Sequence, residues 1–427
     1  MQKQRIAIIG SGISGLTCGY LLNDRADITL YEAGDYLGGH TATKDIEIDG
    51  QEYAIDTGFI VFNDWTYPNF IKLLDKIGVK KQATEMSFSV RNNSSELEYN
   101  GHSLNTLFAQ RRNLLSPRFY RLIREILRFN DLCKQTLNSD LNLSEITLTE
   151  FLQKHGFSDY FAVNYILPMC AAIWSASLET AGNFPLAFFL KFFNNHGLLN
   201  VNDRPQWYTI VGGSREYVGP LAKEFSNKIK LSTPVKKVTK TSSGLIVTTD
   251  SGDELFDDVI FACHSDQALQ LLDVSSLDQA LSKQTTNILG AIPYALNDVI
   301  LHTDVKVLPK RRLAWASWNY QLQGTKNERE APAKVSYNMN ILQRLQANRT
   351  FIVTLNDREN IDPEKILGQY EYAHPQFSPK MVAAQQQRAQ ICGVQGIHYC
   401  GAYWYNGFHE DGVRSALDVC KRFGAHL

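Results

Sequence analysis

Residues Arg5 to Gly15 read RIAIIGSGISG. The run RIAII has the continuous apolar character of a short strand buried on both faces. Gly10, Gly12 and Gly15 then fall at GxGxxG spacing. Ile13 to Asn23 reads as a helix, and ADITLYEA (Ala26–Ala33) as a second strand ending at Glu32. Each part has a mechanical reason. Gly10 permits the tight turn, Gly12 lets a pyrophosphate approach the backbone, and Gly15 lets helix and strand pack closely. The helix start at Ile13 and Ser14 offers free N–H groups and a positive dipole end to phosphate. Glu32 and Ala33 end the second strand, where a carboxylate can hold ribose hydroxyls. The pattern predicts a Rossmann-type α/β unit that binds a dinucleotide.

Bulk properties set the frame. At 427 residues two domains are expected, and 44% hydrophobic with 20% charged residues is ordinary globular composition. The net charge of −1 argues against gripping nucleic acid. Seven scattered cysteines without a CxxC pair, and ten histidines without metal-like pairing, predict buried thiols in a reducing compartment and no metal. The opening MQKQRIAIIGSG enters a strand pattern directly, so no secretory signal is expected. No apolar window reaches bilayer-spanning length. The expected location is cytoplasmic, with peripheral membrane contact left open.

Beyond Glu32, the stretch GDYLGGHTAT places Gly38, Gly39 and His40 six to eight residues on. This second glycine pair resembles the pattern of the flavin amine oxidase, phytoene desaturase and protoporphyrinogen oxidase superfamily, in which it runs along FAD. The resemblance implies a glutathione-reductase-like FAD domain of amine oxidase type, with FAD bound non-covalently. His40 stands where many relatives carry Arg. DTGFIVFND (Asp56–Asp64) resembles the next FAD-side segment and brings in Thr57 and Gly58.

Further along, Gly212-Gly213-Ser214 resembles the glycine pair that reopens the cofactor domain, and Val235 falls where relatives touch adenine through backbone. IKLSTPVKKVTKTSSGLIVTTDSGDELF reads as strands with turns at Ser242–Gly244 and Asp250–Gly252. DDVIFAC (Asp257–Cys263) resembles the strand that closes this part of the sheet. The expected FAD domain is therefore discontinuous, residues 1–75, 205–280 and 385–427. It is interleaved with an α+β substrate domain of residues 76–204, largely helical in pattern, and 281–384, with strand-like runs such as YALNDVILHTD, AKVSYNMNIL and RTFIVTLN.

Several blocks resemble one bacterial branch of the superfamily, predicted NAD/FAD-binding proteins associated with cyclopropane-fatty-acid-synthase-like enzymes. They include LPMCAAIWSAS (Leu167–Ser177), NNHGLLNVNDRPQW (Asn194–Trp207), LAWASWNY (Leu313–Tyr320) and the closing CGAYWYNGFHEDGVRSA. In that closing block the resemblance implies flavin contacts at Gly401, Ala402, Gly412 and Val413. Ala402 replaces a family acid that holds a ribityl hydroxyl, and Asp411 is the candidate substitute. Glu410 and Asp411 otherwise read as capping residues of a helix that begins there. Tyr403 and Trp404 are candidates for lining the flavin face, and His409 for acid–base work. Cys400 lies away from the position where covalent relatives carry their linking cysteine.

The segment RRNLLSPRFYRLIREILRF (Arg111–Phe129) is basic and amphipathic. It reads either as a core helix with a solvated face or as a helix that rests on anionic lipid. The leading functional expectation is an FAD-dependent oxidoreductase that passes hydride from a substrate C–H to flavin. A lipid acyl chain is slightly preferred to a small amine, because LAWASWNY lacks the Lys of amine-oxidising relatives. The alternatives are amine oxidation, a non-catalytic flavin-binding partner subunit, and an NAD-dependent dehydrogenase, which Gly38-Gly39 and the closing motif disfavour. The oligomeric state is not legible.

Overall fold

The computed structural model describes residues 3–138, 146–324 and 327–427. Arg5–Ile9 is the central strand of a five-stranded parallel sheet. Asp27–Tyr31 and then Ile229–Lys230 lie on one side, Asp258–Phe261 and then Ile397–Tyr399 on the other. Ile6, Ala7 and Ile8 are fully buried, as the unbroken apolar run requires. The helices Ile13–Leu22 and His409–Cys420 pack against each other beside this sheet. Lys237–Thr241, Gly244–Thr249 and Gly252–Phe256 form the expected antiparallel meander.

A second sheet has seven strands in the order Ile366–Pro375, Tyr294–His302, Ile352–Leu355, Val335–Asn338, Trp318–Leu322, Phe88–Asn92, Leu97–Asn100. Its one parallel pairing joins Trp318–Leu322 to Phe88–Asn92, and this seam unites two distant chain segments. Helices between Pro117 and Asn195 pack beside it around Phe129, Phe151, Phe161 and Phe189.

One irregularity in these helices has a clear cause. Pro168 has no N–H, so the carbonyl of Asn164 loses its intrahelical donor. The turn widens over Ala162–Ile166, and the Tyr99 hydroxyl donates to that carbonyl at 2.7 Å. The Asn164 side chain also accepts from Asn92 Nδ2 at 2.8 Å, so the widened turn is pinned to the sheet edge.

Three sequence expectations need correction. In the stretch 76–204, after the end of the helix Pro68–Ile77, helices resume only at residue 104. Between them come the strands Lys81–Thr84, Phe88–Asn92 and Leu97–Asn100. Two of these pair with Trp207–Ile210 and Trp318–Leu322, far along the chain, so no local pattern revealed them. Asp258–Phe261 does not close the parallel sheet; Ile397–Tyr399 lies outside it. The basic segment is not one helix. A 3₁₀ turn over Arg111–Leu115 ends at Ser116, and the helix Pro117–Leu137 starts there. Ser116 caps Phe119 N at 3.3 Å and Pro117 takes the first helical position, which needs no N–H.

The acid pair before the closing helix is structural, in two different ways. Asp411 accepts from Phe408 N at 3.0 Å within its own helix start. Glu410 reaches across to the helix Pro68–Ile77, where it accepts from Asn69 N, Asn69 Nδ2 and Phe70 N at 3.2, 2.6 and 2.8 Å. Tyr67, the residue before that helix, supplies no side-chain cap. Glu410→Ala would leave these buried donors unpaired, and should lower stability by about 2 kcal/mol. A denaturant titration checks this, with Glu410→Gln expected to lose less.

Candidate active site

The glycine cradle is built as its spacing required. Gly10 has φ +104°, a region that side chains other than glycine rarely enter. A Cβ at Gly15 would sit 1.9 Å from the Gly10 carbonyl oxygen, so no larger residue lets helix meet turn. A Cβ at Gly12 would meet nothing within 4 Å, so its backbone faces open space. Glu32 accepts from Ser11 N at 2.9 Å, Ser11 Oγ at 2.5 Å and Gly34 N at 2.8 Å. Gly38 bridges to Gly12 and donates its N–H to Ser11 O at 3.1 Å, which brings the second glycine pair against the first.

A cavity of about 830 Å³ extends from this cradle to the seven-stranded sheet. Of the residues singled out in the sequence, it is lined by Gly10, Gly12, Ile13, Ser14, Glu32, Ala33, Gly38, Gly39, His40, Thr57, Gly58, Val235, Gly401, Ala402, Tyr403 and His409. Residues from four distant stretches thus meet on one surface.

The others lie elsewhere. Trp404 faces a separate small cavity and packs under the Arg388 guanidinium, 5.3 Å from its ring centroid. Gly412 and Val413 are packing residues outside the cavity lining. A Cβ at 412 would stand 2.6 Å from Ile13 Cγ2, and the Gly412 carbonyl accepts from Ser14 Oγ at 2.9 Å. The glycine assigned to a flavin contact is what lets the first and last helices approach. Asp411 is spent on Phe408 N, so it does not replace the acid missing at Ala402. Burial, with Glu410 alongside, lifts its carboxyl to about 7. Cys400 is buried against Cys18, sulfur to sulfur at 3.9 Å, and also lies outside the cavity lining.

His409 lines the cavity, yet its ring is committed. It lies flat on Phe59 at 3.6 Å, and its Nε2 is 3.1 Å from both Thr41 Oγ1 and Tyr217 OH. Burial, with His40 nearby, holds its pKa down to about 3, so it is neutral near pH 7. His40 is neutral for the same reason, at about 3, with His374 and His264 adding to the effect of burial. Its ring is 5.6 Å from that of His264 and 5.5 Å from that of His374. An uncharged imidazole thus stands at the position where the sequence pattern leads to an arginine.

Several residues facing the cavity carried no sequence signal. Tyr372 shares a hydrogen bond with Thr57 Oγ1 at 2.8 Å. His374 lies on the same late strand, and His264 stacks on Tyr294 at 4.5 Å. His196 lies within the block Asn194–Trp207, where no motif marks it as functional. Its Nδ1–H donates to the Phe192 carbonyl at 3.0 Å, which leaves the lone pair on Nε2. Burial takes its pKa down to about 4.

The residues present fit FAD. Gly12 leaves backbone open for a pyrophosphate, Glu32 is fixed where ribose hydroxyls would lie, and His40 Nε2 and Tyr403 OH are buried polar atoms without partners. Fold and cradle together define a Rossmann-type flavoprotein. The sequence profile of the flavin-containing amine oxidoreductases matches residues 13–350, and the chain belongs to that family. It is an FAD-dependent oxidoreductase.

Solved structures agree at the level of fold. Cyclohexylamine oxidase from Brevibacterium oxydans IH-35A is 14% identical with a TM-score of 0.67, covering 99% of this chain and 98% of that one. A fatty acid isomerase from P. acnes that produces CLA is 16% identical with a TM-score of 0.67, covering 98% of each. A reduced UDP-galactopyranose mutase is 14% identical with a TM-score of 0.66, covering 99% of this chain and 94% of that one. No curated protein matches the sequence.

The buried imidazoles set a pH dependence. His40 and His409 at about 3, and His196, His302 and His374 at about 4, are neutral when folded, while the unfolded chain protonates near 6.5. Their contribution is complete above 6.5 and is lost as the pH falls through 4 toward 3. Asp411 at about 7 and Asp56 at about 6 act in the opposite sense, contributing most at low pH and losing it as pH rises through these values. Five groups outweigh two. Calorimetry of the apoprotein should therefore show the melting temperature falling between pH 6.5 and pH 4.

Proposed function

We propose that this oxidoreductase acts on a C–H bond of a lipid acyl chain. The observation that carries the reading is the charge of the cavity wall. Among the described residues, the only aspartate, glutamate, lysine or arginine side chains lining it are Glu32, at the cofactor end, and Arg204. Phe88, Ile173, Trp174, Phe192, Trp318 and Tyr337 supply much of the wall on the substrate side, with uncharged polar groups such as Ser87, Ser175 and His196 among them. An ammonium substrate would lose its hydration there and meet no carboxylate, whereas an acyl chain gains from leaving water. Trp404 touches the Tyr403 ring at 5.0 Å but lies outside the cavity lining, so it adds no second aromatic wall there. One solved structure of the same fold is a fatty acid isomerase, which supports the choice of class.

Bound FAD supplies the hydride acceptor. Ser11, Gly12 and Gly38 would hold its pyrophosphate, Glu32 its ribose and Val235 its adenine. The aromatic walls orient the chain and exclude water, so that the reacting carbon is held by packing. Where the oxidation forms a double bond, a proton must leave the neighbouring carbon. His196 presents a neutral imidazole whose Nε2 carries a free lone pair, and it takes that role.

The test is anaerobic bleaching of the flavin spectrum by phospholipids with unsaturated or methylated acyl chains, beside a panel of amines. Bleaching by lipid and not by amine is expected; the reverse result overturns the reading. His196→Gln should retain its flavin spectrum and be bleached on the order of 100-fold more slowly, as loss of a positioned base implies.

A further inference from the structure

We infer that the surface formed by the short helix Leu104–Leu107, the 3₁₀ turns Arg111–Leu115 and Arg312–Ala314, and the first turns of the helix Pro117–Leu137 docks on an anionic phospholipid bilayer. Two leucines stand far out of the protein here, Leu115 at 88% and Leu104 at 78% exposure. Leu114, Tyr120 and Leu313 are exposed beside them.

The parts are joined into one surface. The Arg111 guanidinium binds the Asn105 and Phe108 carbonyls and the Asn105 side chain, at 3.3, 2.9 and 2.8 Å. Tyr120 meets Phe108 at a ring distance of 5.9 Å. The turn Arg312–Ala314 packs on the helix Leu104–Leu107. Leucines held out by short, internally bonded turns are unsuited to a solvated face and suited to insertion.

Charge selects the partner. Arg111, Arg112, Arg121, Lys310, Arg311 and Arg312 rim the leucines, all exposed. Glu96 pairs with Arg112 at 3.1 Å, Glu98 with Arg311 at 2.9 Å, and Glu125 approaches Arg121 at 3.8 Å. Arg111, Lys310 and Arg312 have no carboxylate partner among the described residues. The rim is therefore net positive, in a chain whose overall charge is −1. Apolar tips inside a basic ring match the interface of an anionic leaflet, where each cation adds to binding. No helix among the described residues is long and apolar enough to cross a membrane, so attachment would be to one leaflet.

Position supplies the reason. Gly101 and His102, which line the cavity, stand three and two residues before the exposed Leu104. A bilayer seated on this surface would lie next to that edge of the cavity, and an acyl chain could pass between them with little exposure to water. This last step rests on the lipid-substrate reading; the docking itself does not.

The experiment is sedimentation of the FAD-loaded protein with vesicles of saturated phosphatidylcholine, with and without saturated phosphatidylglycerol. Sedimentation is expected only with phosphatidylglycerol and should weaken as salt rises. Two double variants, Leu114→Ser with Leu115→Ser and Lys310→Glu with Arg312→Glu, should each bind at least about tenfold more weakly while keeping the flavin spectrum and melting temperature. Absence of binding to phosphatidylglycerol vesicles, or wild-type binding by both variants, overturns the proposal. So does a dimer in gel filtration that the leucine variant dissociates, because the surface would then belong to a second copy. Binding is read without turnover, so failure of the lipid-substrate reading would leave this result standing.

Discussion

Ser14 Oγ donates to the Gly412 carbonyl, and no side chain fits at position 412 beside Ile13. This contact between the first and last helices is the constraint from which the cavity floor follows. It fixes the start of the closing helix against the glycine cradle. From there His409 is laid on Phe59, Glu410 is aimed at the helix Pro68–Ile77, and Asp411 holds its own helix start. Three adjacent polar residues thus face three different elements. Their regular placement in sequence suggests a catalytic cluster, but their geometry is that of a fastening.

The cradle was legible because its chemistry is local. Gly10, Gly12, Gly15 and Glu32 lie within one strand–turn–helix–strand unit, and each has a backbone reason that spacing alone conveys. The meander over residues 237–256 was legible for the same reason. What escaped depends on residues far apart. Phe88–Asn92 becomes a strand through pairing with Trp318–Leu322, and Gly412 is a packing glycine only because Ile13 stands opposite. Trp404 and Tyr403 are neighbours in sequence, yet the tight turn after Gly401 sends them to different cavities. His196 gave no signal because a single histidine is informative only once its Nδ1–H has a known acceptor.

The electrostatics of the site are those of neutral polar groups. His40, His264, His374 and His409 are all held below the ordinary imidazole range by burial. A wall of uncharged donors and acceptors can orient a cofactor without presenting unpaired charge to an apolar substrate. A cyclohexylamine oxidase, a fatty acid isomerase and a UDP-galactopyranose mutase share this fold, so the fold by itself does not select a substrate.

The interleaving of the two sheets has a consequence for the order in which the protein can be made. The central strand Arg5–Ile9 waits for Asp258–Phe261, and that strand waits for Ile397–Tyr399. At a synthesis rate of about 5–20 residues per second, the outer strand emerges on the order of 20 to 80 seconds after the first. Throughout that interval the parallel sheet has an open edge, and the helix that completes the cradle does not yet exist. The cradle therefore cannot be complete before the closing helix His409–Cys420 has emerged, and until then the growing sheet carries unpaired strand edges.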